Sequence, residues 1–187
     1  MRCPYCNSAL HDSAYECPNC QLSFARAKKI LGALPRMDPT VADTTRRLSS
    51  ADQTKLRRRI NELRQQFPEL VLQIVIHEFP DGLPLSLHVF WMFNAASFAG
   101  DSKRGKNNHS ILIALDPRRE ESAVIPGYGL EPFFTDEALG HLLELAGPAW
   151  ETGRWTDGFM RVLDGLEPWL ESVAIPEDAS QSSGSEF

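Results

Sequence analysis

Four cysteines fall within the first twenty residues, in two matching pairs, Cys3-Pro4-Tyr5-Cys6 and Cys17-Pro18-Asn19-Cys20, and none occurs elsewhere in the 187-residue chain. A stretch this short has too little apolar material to build a core, so it folds only if something else holds it. Two C-x-x-C pairs separated by ten residues can present four thiolates to one ion. The proline inside each pair fixes φ between the ligands and shapes a tight knuckle. The spacing predicts a zinc ribbon over residues 1–24, with Cys3, Cys6, Cys17 and Cys20 as tetrahedral ligands. Competing readings are two disulfides, a rubredoxin-like iron site and a dithiol redox centre. The first needs an oxidising compartment, ten residues is a short separation for the second, and the third needs only one pair. Four protein ligands leave no position for a catalytic water, so the zinc is predicted to be structural. His11, between the pairs, is predicted to be exposed rather than a ligand.

The rest of the chain divides by pattern. Residues 25–31 suggest a short helix leaving the ribbon, and Gly32, Pro35 and Pro39 make 25–48 read as a linker. From 49 to 172 the sequence alternates helical and strand signals. Leu56, Ile60, Leu63 and Phe67 form one helical stripe; Ser50 with Gln53 is the expected capping box, and Pro68 the stop. Residues 70–76 are nearly all apolar and rich in β-branched side chains, which predicts a strand covered on both faces. Residues 85–98 are apolar almost all round, which predicts a deeply buried helix, with His88 a satisfied core histidine and Phe90 and Trp91 core aromatics. Residues 99–109 read as a polar loop. Residues 110–115 and 122–126 read as a hairpin-like pair of strands turning through Asp116-Pro117. Thr135 is the expected cap of the next helix, with Asp136 and Glu137 in its first turn. Gly147-Pro148 is expected to interrupt that helix, and a last helix to run from about Trp155 to Leu170. The Ser-rich acidic stretch 173–187 is expected to be a disordered tail. Buried strands mixed with helices predict an α/β/α three-layer sandwich with a small mixed sheet, preceded by the ribbon.

The net charge of −6 hides an asymmetry: residues 1–60 carry eleven Lys and Arg against five Asp and Glu, whereas 61–187 carry eight against twenty. Either the basic third meets an acidic partner, or the two unlike parts attract each other. Aromatic residues in the ribbon are few (Tyr5, Tyr15, Phe24), which favours a protein over a nucleic acid as partner. No apolar run reaches the roughly 18 residues of a membrane span, and the chain begins without an apolar signal segment, so the expected location is the cytoplasm.

The stretch Gly105 to Asp116, then Val124-Ile-Pro-Gly127-Tyr-Gly129-Leu-Glu131, then Thr135-Asp136, resembles the TPM domain family over roughly residues 50–170. The ribbon resembles those preceding some bacterial members. The resemblance implies an α/β/α sandwich. It also implies one of two roles, namely a divalent-cation-dependent phosphatase or a partner in the assembly or repair of membrane complexes. Carried over by position, it implies a second, calcium- or magnesium-binding cluster of Asn107, Asn108, Asp116, Glu131 and Asp136. Here Asn107 stands where the family carries an acidic residue and His109 where it carries glycine, and a lost carboxylate weakens affinity for a hard cation. The chain has no Cys-x5-Arg loop, D-x-D pair, G-x-S-x-G elbow or H-E-x-x-H. The sequence therefore predicts a non-catalytic interaction module, with a phosphomonoester hydrolase as the alternative.

Overall fold

The fold is built on β2 (Val71–Ile76) and β3 (Ser110–Asp116), parallel neighbours whose side chains are buried on both faces. The computed structural model describes residues 2–11, 14–33, 37–95 and 109–173. The expected tail from 174 onward, and the part of the polar loop from 99 to 108, lie outside the described residues. Alternation along the two strands sorts their side chains. Leu72, Ile74, Ile76, Ile111, Ile113 and Leu115 enter one apolar cluster, and Val75, Leu112 and Ala114 the other. β4 (Glu121–Pro126) returns antiparallel to β3, with Asp116 opposite Glu121 at the turn and Ile111 opposite Pro126 at the open end.

The remaining strand is a correction to the expected linker. Val41–Asp43 forms β1, parallel to β2, giving the sheet order β1-β2-β3-β4. The chain holds so short a strand by side-chain closure. The Asp43 carboxylate accepts from the Thr45 N–H (2.9 Å), the Thr45 hydroxyl (2.7 Å) and the Leu48 N–H (2.7 Å).

One face of the sheet is covered by α2 (Ser50–Gln66), α4 (Asp136–Trp150) and α5 (Trp155–Val173). The cap of α2 is Ser49 with Asp52 in a reciprocal capping box, one residue before the expected pair. Thr135 caps α4 as expected, its hydroxyl accepting from the Ala138 N–H. Pro148 does not interrupt α4. It sits on the exposed side of the helix, where water can satisfy the carbonyl one turn earlier that proline leaves without a donor. α5 approaches closely through glycine. A Cβ on Gly158 would overlap the Trp150 indole, and one on Gly165 would lie 2.6 Å from Leu142. The unlike charges meet here as well. Arg59 of α2, only 14% exposed, reaches Asp164 (2.9 Å) and Glu167 (2.6 Å) of α5.

The other face is covered by α3 (Leu85–Ala95). Its Leu85, Val89 and Met92 pack on the sheet, while Leu87 and Trp91 point the opposite way into a third apolar cluster with Leu22 and Ala27. Ala27 belongs to α1 (Phe24–Leu31), the helix that leaves the cysteine module. The cysteine module and α1 therefore form a fourth layer on α3. This is the physical reason that the α3 sequence is apolar all round.

Candidate metal centre

The two cysteine pairs adopt the same local structure. The first cysteine of each pair donates its N–H five residues on (Cys3 to Ser8 O, Cys17 to Leu22 O, both 2.9 Å). Its own carbonyl accepts from the residue after the second cysteine (Asn7 N–H, 2.9 Å; Gln21 N–H, 2.8 Å). Asn7 and Gln21 both turn through the left-handed region, each at φ 59°. Short antiparallel bridges, Arg2 with Ala9 and Glu16 with Ser23, close each knuckle. The local doubling in the sequence thus becomes a doubling in backbone geometry, and it aims all four sulfurs at one point.

All four thiols are unbonded, and their sulfurs lie within 4.8 Å of one another. Cys3 and Cys20 are 3.6 Å apart, as are Cys6 and Cys17. Four sulfurs about 2.3 Å from a central ion would stand about 3.8 Å apart along each tetrahedral edge, so the quartet fits a single metal ion. The four thiols are unequal as acids. Burial pushes Cys20 up to about 12 and raises Cys3, whereas hydrogen bonding by Ser8, whose Oγ lies 3.3 Å from Cys6 Sγ, pulls Cys6 down to about 5. Buried thiols held in the protonated form give up their protons to a cation, which couples metal binding to proton release and to folding of the knuckles.

The quartet is fastened to the sheet domain. Cys3 and Cys17 are 2% and 1% exposed, packed among Leu22, Ala27, Leu87 and Trp91. Ser86 donates its hydroxyl to the Pro4 carbonyl (2.6 Å), and Arg26 of α1 donates to the Cys20 carbonyl (2.8 Å). Trp91 stacks obliquely on Phe24, centroids 5.0 Å apart, and donates its indole N–H to Gly32 O (3.2 Å). Gly32 ends α1 at φ 69°, a conformation glycine adopts without strain. His11 is exposed, as expected.

The second predicted cluster is distributed differently. Asn107 and Asn108 lie outside the described residues. Asp116 is fully buried at the hairpin turn. Its carboxylate accepts from the backbone N–H groups of Phe79 (2.9 Å), Arg118 (2.9 Å) and Arg119 (3.1 Å), clasping the β2–α3 loop to the β3–β4 turn. Glu131 is exposed in the 3-10 turn Glu131–Phe133, near the opposite end of β3, where the Gly127 N–H donates to Ser110 O (2.7 Å). β3 runs from Ser110 to Asp116, and at about 3.3 Å per residue that places the two carboxylates roughly 20 Å apart along the sheet. Asp136, its side chain 91% exposed, heads α4 and lies 3.9 Å from Arg2 of the cysteine module. Among the described residues, the only group of three or more His, Cys, Asp or Glu side chains close enough to share an ion is the cysteine quartet. What the sequence did not single out at the open end of the sheet is a pair, Glu69 and His109, 3.0 Å apart.

The TPM domain family matches residues 41–168, well over half of the chain, and the chain belongs to that family. Its fold is similar to two solution NMR structures. One is the N-terminal domain of a Corynebacterium glutamicum protein, 19% identical, covering 83% of this chain and 89% of that one, with a TM-score of 0.52. The other is the N-terminal domain of a P. gingivalis protein, 21% identical, covering 71% of this chain and 82% of that one, with a TM-score of 0.55. Comparison with curated proteins finds no match. No helix among the described residues is long and apolar enough to cross a membrane.

Proposed function

We propose that this TPM-domain chain is a non-catalytic interaction module: a zinc ribbon mounted on the outer side of α3 that, with the sheet domain, engages a protein partner in assembling or repairing a larger complex. The observation that carries the proposal is the closed thiol quartet. Four protein sulfurs complete the coordination of zinc and leave no place for an activated water or a substrate oxygen, so the ion serves to hold structure. Unbonded thiols favour a reducing compartment, in keeping with a cytoplasmic location. Exposed aromatics suit protein contact, on the module (Tyr15, 86% exposed) and beside the open end of the sheet (Tyr128, 60%; Phe133, 50%). A nucleic-acid partner is disfavoured, because much of the positive charge is spent internally: Arg57 on Asp38, Arg47 on Glu78, and Arg59 on α5.

A second reading, a calcium- or magnesium-dependent phosphomonoester hydrolase, is favoured by one feature. Glu69, His109 and Glu131 all belong to the end of the sheet where the chain enters β3. Assaying purified chain on a phosphomonoester with added magnesium or calcium separates the two readings. The module reading expects no turnover that purifies with the protein. Turnover that is lost in Glu131→Ala, with zinc content unchanged, would establish the hydrolase instead.

A further inference from the structure

β4 is an edge of the sheet, and its outer side carries backbone groups that the fold leaves unpaired. The hydrogen bond from the Gly127 N–H to Ser110 O (2.7 Å), one step beyond the Ile111–Pro126 pair, sets the phase of the β3–β4 ladder. In an antiparallel ladder, residues that turn both N–H and C=O to the partner strand alternate with residues that turn both away. Ala123 and Ile125 therefore face β3, and Ser122 and Val124 face outward. β3 shows the same phase from its other side, where the His109 and Leu115 carbonyls accept from the Val71 and His77 N–H groups. Among the described residues the N–H and C=O of Ser122 and Val124 have no partner. β4 is also the accessible strand of the pair. β3 is buried throughout, whereas every residue of β4 except Val124 is half-buried, and the Val124 side chain enters the main core cluster. The opposite edge is closed by contrast. Thr40 and Thr44 of that segment bond β2, so Val41 turns away from it; its N–H donates to Asp38 (2.9 Å), and Arg57 donates to its carbonyl (3.3 Å).

We propose that the outer edge of β4 binds an extended, basic segment of a protein partner by strand addition. This contact, which rests on the module reading, gives the sheet domain its share of the partner. Strand addition joins main chain to main chain, so one segment satisfies the free groups of Ser122 and Val124 together. Pro126 has no N–H, and Glu120 turns through the left-handed region at φ 53°, so the edge takes a short segment and does not template sheet growth. Charge selects the occupant. Residues 61–187 hold eight Lys and Arg against twenty Asp and Glu. Near β4, Arg118 is engaged by Asp81 (2.9 Å) and Arg119 by Glu121 (2.8 Å). Glu120 precedes the strand and Glu131 follows it, both exposed and without an ion pair among the described residues. A second copy would set like charge against like across the edge, whereas lysines or arginines on an added strand meet these carboxylates. Tyr128, 60% exposed just past the end of β4, offers its ring face to a cationic side chain of the same segment.

The probe is an acetylated, amidated pentapeptide of alternating lysine and valine, titrated into the full chain as purified and followed by amide chemical shifts and hydrogen exchange. The Ser122 and Val124 amides should shift and gain about tenfold protection, while those of Ala123 and Ile125, already bonded to β3, should change little. The counterpart with glutamate in place of lysine should bind about tenfold more weakly. Ser122→Pro removes an N–H that bonds nothing within the chain, so it should abolish binding with the β3–β4 ladder intact. The lysine–valine peptide N-methylated at every residue should also fail to bind, which keeps the test informative if Ser122→Pro does not fold. Equal binding of the acidic or the N-methylated peptide, or shifts at β4 from none of them, would overturn the proposal. Shifts confined to residues 2–33 would overturn it with the module reading intact, since the contact would then lie on the cysteine module. Protection of Ser122 and Val124 that rises with the concentration of the chain alone would make the occupant a second copy and overturn it as well. Failure of the module reading shows separately, as phosphomonoester turnover.

Discussion

Stripping the metal proposed for the cysteine quartet is predicted to destabilise the whole chain and not only its first two dozen residues. On the proposed reading the cysteine knuckles depend on an ion, and they hold Leu22 and α1 against α3. Releasing them bares Leu87, 0% exposed, and Trp91, 4% exposed, on the outer side of α3. Re-exposing a large apolar side chain costs about 1.5–3 kcal/mol, so the pair contributes about 3–6 kcal/mol to the sheet domain. That is a large share of the roughly 5–15 kcal/mol by which a typical domain is stable. A domain of this size shifts its Tm by about 2–4 °C per kcal/mol, so the expected fall is on the order of 10–20 °C. Calorimetry of the loaded chain, the chelated chain and Cys17→Ser should show it, together with faster hydrogen exchange of the α3 amides. A chelated chain that melts within a degree or two of the loaded one, with α3 protection intact, would refute the coupling and make the ribbon an independent appendage.

Two other features give direct tests. Asp116→Asn keeps the volume but surrenders a charged acceptor of three backbone donors, and chemical denaturation should report a loss of about 1.5–3 kcal/mol. An unchanged stability accompanied by lost calcium binding would instead place Asp116 in a cation site. The hydrogen bond from Arg59 holds the Glu167 carboxyl below its ordinary 4.5. A depressed carboxyl contributes stability that is present above its unfolded pKa and lost as pH falls through its folded one. The stability gap between the unaltered chain and Arg59→Met should therefore be full at pH 6 and shrink below about pH 4.5. A gap that widens on acidification would contradict the pairing.

The sequence carried the main helices, the hairpin and the cysteine quartet, because each writes a local pattern: a 3.6-residue stripe, two apolar runs about a turn, a doubled motif. Losses occurred where the deciding contact is remote. Val41–Asp43 is too short to show a period, and it is a strand only because β2 lies beside it. The all-round apolarity of α3 announced burial on every side without naming the cysteine module as one of the sides. Pro148 looked like a break because sequence does not reveal that its side of α4 faces solvent. Ser49 and Ser50 are adjacent and chemically equal as caps, so the one-residue error there reflects geometry alone. Asp116 and Glu131 were grouped by the family resemblance, whereas β4 between them carries the chain from one end of the sheet to the other. The expectation of a satisfied core histidine at His88 fails at Nε2, which is buried without a partner, because sequence does not show what a buried ring nitrogen faces.

The most direct test of a closed, structural metal site is X-ray absorption at the zinc edge on the full chain, alongside metal analysis. One zinc per chain with four sulfur neighbours at about 2.3 Å is the predicted result. Three or fewer sulfurs, with oxygen or nitrogen completing the shell, would mean an open position on the ion and would contradict the reading of this chain as a non-catalytic module.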